Sequence, residues 1–74
     1  MQDYNQADVN FVQKMIAHHS MAITMSNRLV ALGKNDQVHV LAIDIKNKQS
    51  AEIQWMKNWL LARGIETEPQ PHSM

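Results

Sequence analysis

The sequence predicts an all-α protein: an antiparallel two-helix hairpin over residues 1–64 that dimerises into a four-helix bundle. Three observations carry that expectation. Two stretches of helix-forming composition are bounded by the two glycines, Gly33 and Gly64, and both prolines, Pro69 and Pro71, lie beyond them. The apolar positions recur at helical rather than strand spacing. And 74 residues without a cysteine form a domain with a marginal core, which in the absence of disulfides turns to a metal or a partner subunit.

The first helix is expected over about residues 6–32. Asn5 can cap it, Asp8 places a carboxylate in its first turn, and Gly33 suits the left-handed position that ends it. The second is expected over about residues 37–63, with Asp36 as its cap, Arg63 at its negative end and Gly64 behind it. Residues 65–74 read as a flexible tail. Two helices of about 40 Å, joined by roughly four residues, must run antiparallel.

The periodicity says what the helices pack against. At about 100° per residue, the first helix carries one apolar stripe through Phe11, Met15, Ala22, Met25 and Leu29. A second runs through Val9, Val12, Ile16, Ile23 and Val30. The second helix groups Val38, Leu41, Ala42, Ile45, Ile53, Met56, Trp59 and Leu60, with Trp55 at the edge. Two stripes on one helix exceed the single face that one neighbour buries. A homodimer is therefore expected.

Composition removes several classes. Lys and Arg number seven, as do Asp and Glu, so the net charge is zero and no basic stripe for nucleic acid exists. No apolar run is long enough to span a membrane, and no secretory leader is read at Met1. Without cysteine there is no thiol catalysis and no Cys-type zinc site. What stands out is six methionines and four histidines, half of each group falling within Met15–Met25.

His18 and His19 interrupt the apolar arc of the first helix, about 60° and 40° to either side of Met15. Gln49 and Glu52 interrupt that of the second. Across an antiparallel hairpin His18 falls level with Ala51 and His19 with Ser50, so the two interruptions meet at one height, within a turn. One reading is a satisfied hydrogen-bond layer that sets helix register. The other is a metal site, because bundle helices build such sites from inward-facing side chains. Met15 and Met21 lie one turn from His18, and Met15 and Met25 lie along the side of His19. Thioether plus imidazole suits Cu(I) or silver, while zinc through His18, His19 and Glu52 stays open. Dinuclear iron needs more carboxylates than Asp8 and Glu52 and a Glu-x-x-His pair, which the chain lacks. Met15, Met25 and Met56 also have a packing role available to them. Asp8 is largely explained by the helix dipole, His39 reads as a solvated surface residue, and His72 with Met74 offers a loose pair in the tail.

The stretch from Asp8 to Met25, with its Asp-x-x-Phe and Met-x-x-His-His, is followed by Gln-x-x-Glu-Ile-x-x-Met-x-x-Trp-Leu from Gln49. Together they resemble an uncharacterised bacterial ferritin-like family that includes the CopM-type copper-binding proteins. The resemblance implies roles for Asp8, Met15, His18, His19, Met25, Gln49, Glu52 and Met56, and a periplasmic or extracellular home. Family members usually carry an export signal or anchor, so the chain is expected to be a mature or trimmed domain. Many relatives have proline where Ala17 stands, which removes a helix kink from the expectation but leaves the histidines. The function expected is soft-metal binding, for buffering or resistance outside the cytoplasm, and not catalysis. His18 and His19 would ligate, Met15, Met21, Met25 and Met56 would supply thioethers, and Glu52 or Gln49 would orient a histidine. A structural or partner-binding dimer, or a zinc or dinuclear metal enzyme, are the alternatives.

Overall fold

A computed structural model of the chain describes residues 3–67 and contains two helices. α1 spans Gln6–Leu32 and α2 spans Asp36–Ala62, each 27 residues long. They pack side by side as the antiparallel hairpin, and the described residues contain no strand.

Each helix begins where a side chain satisfies its first free amides. Asn5 accepts from the Asp8 amide at 3.1 Å, and Asp8 Oδ2 accepts in return from the Asn5 amide at 3.0 Å, closing a reciprocal cap. Asp8 therefore has a local structural task at the helix terminus. α2 is capped by Asn35 and not by Asp36: Asn35 Oδ1 accepts from the Val38 amide at 3.0 Å. The helix starts one residue early because the Asn35 amide oxygen reaches that donor, while Asp36 still places its charge at the positive end of the dipole.

The two glycines play different parts. Gly33 is not left-handed: its φ of −73° and ψ of 162° are extended, and its amide returns to the Leu29 carbonyl. The chain leaves α1 directly toward the Asn35 cap, and what it needs at 33 is room. A Cβ there would lie 2.7 Å from both Leu29 Cδ1 and Leu29 O. Gly64 does take the left-handed conformation, at φ 72°. Its amide bonds Leu61 O while the Ile65 amide bonds Leu60 O, the paired closure that a glycine permits after a helix. Ile65 packs on the core, and Gln13 Nε2 donates to Glu66 O at 3.0 Å, so the chain just past α2 is held.

The core sits in the half of the hairpin away from the turn. Val9, Val12 and Ile16 of α1 meet Met56 and Leu60 of α2, with Tyr4, Met15, Ile53, Trp59 and Ile65 packed around them. Leu60 alone among the described residues is a large side chain with no exposure at all. In the turn half the buried residues are the small Ser26 and Ala42. The two stripes of α1 thus separate: Val9, Val12 and Ile16 face α2, while Phe11 and Met25 of the other remain open.

The open end of the hairpin is tied by a cluster around Trp59. Arg63 lies over its ring, 4.1 Å from the centroid, and donates to its carbonyl, while Tyr4 meets the ring edge-on at 5.8 Å. The same guanidinium grips Asp3 with two bonds, Nε to Oδ1 at 3.2 Å and Nη2 to Oδ2 at 2.7 Å. Among the described residues no helix is long and apolar enough to cross a membrane.

Candidate functional site

The residues that unite chemistry with burial lie on one flank of the hairpin. Phe11, Met15 and His19 follow one another along α1 at intervals of four, which stacks them on one face. Glu52, Trp55 and Met56 come from the antiparallel α2. Together these six line an open cavity of about 360 Å³. Of these, Met56 is buried and Met15 half-buried, Phe11 and Trp55 are largely exposed, and His19 and Glu52 are the polar members.

His19 Nε2 stands 3.5 Å from Glu52 Oε1. That is ion-pair distance when the imidazole is protonated, and longer than a direct hydrogen bond. Glu52 is more than half exposed while the His19 side chain is largely buried. The other imidazole nitrogen, Nδ1, is buried without a hydrogen-bond partner, and so is Gln49 Oε1. An unsatisfied buried polar atom costs about 1–3 kcal/mol when nothing bonds it, and these two lie at one height on facing helices.

The structure sorts the residues named from sequence. His19, Met15, Glu52 and Met56 come together in the cavity. Gln49 is half-buried in the interface, one turn from Glu52. His18 is exposed and does not line the cavity, and so lies apart from His19 and Glu52. Met21 is 63% exposed. Met25 lines two shallower hollows nearer the turn, with Leu29 in both. Asp8 is engaged in the α1 cap. His72 and Met74 fall outside the described residues. His39 differs from expectation: it is half-buried, and its Nε2 donates to Gly33 O at 3.0 Å, because the tight exit from α1 leaves that carbonyl within reach.

Two cavity residues, Phe11 and Trp55, stand in the sequence only as a stripe member and an edge residue. The signal that places them is their spacing: Phe11–Met15–His19 at i, i+4, i+8, facing Glu52–Trp55–Met56.

As a donor set the cavity offers one imidazole, one carboxylate and two thioethers, a mixture suited to a soft or borderline cation. The unpartnered Nδ1 is an imidazole nitrogen still free to bond. By donor chemistry alone these residues would suit a soft metal. Among the described residues no three His, Cys, Asp or Glu side chains gather as a metal-holding group, so an all-nitrogen-and-oxygen site is not formed within them.

Fold and site together define a small helical hairpin with a thioether–imidazole cavity on one flank. The chain belongs to the family described as a domain of unknown function, DUF305, whose model matches residues 5–74. It is also similar to uncharacterized protein L153 of Acanthamoeba polyphaga mimivirus, at 39% identity over 61 residues, 82% of this chain. The matched segment spans 40% of that relative's length. No solved structure matches the chain.

Proposed function

We propose that the protein binds a soft metal ion, Cu(I) or Ag(I), in the cavity of Met15, His19, Glu52 and Met56. Its role is buffering or resistance outside the cytoplasm, by binding and not by catalysis. The observation that carries the reading is the buried, unpartnered His19 Nδ1 in the side chain that shares a cavity with two methionine thioethers. A packing histidine would satisfy that nitrogen or be replaced by an apolar residue, whereas a ligand keeps it unspent. The resemblance to CopM-type copper-binding proteins supports the same reading. Methionine sulfur and imidazole would hold the ion, and Glu52 would orient His19 or balance charge.

Anaerobic titration with Cu(I) and Ag(I) against a chromogenic competitor tests this. His19→Ala and the pair Met15→Leu/Met56→Leu should each weaken affinity roughly tenfold or more, and His18→Ala less. Wild-type affinity in His19→Ala would sink the assignment.

A second reading rests on the His19–Glu52 approach at 3.5 Å. There the pair is a register device between the helices, in which the contact of His19 with Glu52 holds α1 against α2. It predicts loss of stability, without metal binding, when either residue is replaced.

A further inference from the structure

We infer that the open flank of the hairpin is an interface between two copies of this chain, and that the second copy closes the mouth of the cavity. A hairpin is one layer, and a stable core needs a second layer against its apolar face. Phe11 and Met25 on α1 and Leu41 and Trp55 on α2 are 64%, 69%, 56% and 65% exposed. At about 150–250 Å² per aromatic side chain, Phe11 and Trp55 alone leave roughly 250 Å² of apolar surface in water.

These residues do not lie scattered. The cavity holding His19 and the two hollows around Met25 and Leu29, of about 320 and 400 Å³, line up along the same stripe of α1. With Met25 and Leu41 added, that apolar surface comes to roughly 500 Å², toward the upper end of the roughly 300–600 Å² patch usual on a monomer. A pairing that also covers the half-buried Met15, Leu29 and Ile45 on the same face comes nearer to the roughly 800 Å² per partner of a standard interface. A copy of the same hairpin presents the matching apolar surface, and a two-fold pairing uses one patch twice and leaves none open. Because Phe11 and Trp55 line the cavity and are the exposed apolar residues a second copy would cover, that pairing would shut water out from His19, Met15 and Met56. The pairing itself needs no metal and stands apart from the soft-metal reading.

Sedimentation equilibrium of the full 74-residue chain in EDTA tests it, with thermal melting followed over a hundredfold range of protein concentration. The wild type should sediment as two chains of 8.5 kDa, with a Tm that rises with concentration. Phe11→Glu and Trp55→Glu should shift it to monomer. Val40→Glu, at an exposed apolar position on the far side of α2, should remain paired. If the Glu variants fail to fold, the wild-type melt decides: dependence on concentration supports pairing and independence overturns it. A folded wild-type monomer, a particle larger than two chains, pairing that requires added Cu(I) or Ag(I), or equal disruption by Val40→Glu would each overturn the inference.

Discussion

His19 reaches toward Glu52 across the hairpin with one ring nitrogen, at 3.5 Å, and keeps the other buried and unpartnered. A side chain held in this way gives up stability, because an orphaned polar atom pays for desolvation with no bond in return. His19→Leu should therefore leave the metal-free protein equally stable or stabilise it by about 1 kcal/mol. On the proposed soft-metal role it should also weaken Cu(I) or Ag(I) binding by roughly tenfold or more. Urea unfolding in EDTA, paired with the metal titration, separates the two readings of the site, since a register pair predicts clear destabilisation.

The Asp3–Arg63 fork makes an acid-sensitive tie. The hydrogen bonds from Arg63 hold the Asp3 carboxyl below its ordinary range, and the same bonds raise Arg63 further. A carboxyl lowered on folding contributes stability above its unfolded pKa, and loses it as pH falls through the lowered folded one. The tie should thus be intact at neutral pH and fade below about pH 4. In Asp3→Asn the urea midpoint should fall slightly at pH 7 and converge with wild type near pH 2. Both groups are exposed, so the effect is small.

Gly33→Ala and Gly64→Ala should both destabilise, for different reasons. At 64 there is open space and only a left-handed backbone to strain, a cost of about 1–2 kcal/mol. At 33 the backbone is ordinary, but the added methyl meets Leu29 at 2.7 Å and forces the turn to shift. Gly64→Asn should recover part of the loss, since asparagine tolerates that conformation, while Gly33→Asn should recover none. Thermal melts of the four variants check this.

His39→Ala should cost about 1 kcal/mol, the worth of its bond to Gly33 O. Amide exchange should quicken around residues 33–39 with little change near Leu60, because the bond fastens the turn and not the core.

Much of the architecture is legible in the sequence. Helix number and length follow from two helix-forming segments punctuated by Gly33 and Gly64. The Asn5 cap and the left-handed Gly64 are local chemistry, decided within one turn of chain. The height at which His19, Gln49 and Glu52 meet is simple antiparallel arithmetic, and it placed His19 within two residues of its partner. The cluster that binds Asp3 and Tyr4 to Trp59 and Arg63 was missed. Its signal was the Trp59–Arg63 spacing of four, opposite a short segment ahead of a capped helix, but which groups close such a cluster depends on helix approach.

The sequence by itself determined an all-α hairpin with polar residues at one level of its apolar arcs. It could not say which of two adjacent histidines turns inward, because His18 and His19 both lie inside the arc, on opposite sides of Met15. That choice belongs to the tertiary structure. α2 settles against Val9, Val12 and Ile16 and so takes the His19 edge of α1, burying His19 between the helices and leaving His18 exposed. Helical periodicity constrains how wide an apolar arc is, whereas only the docked neighbour decides which edge of it leaves water.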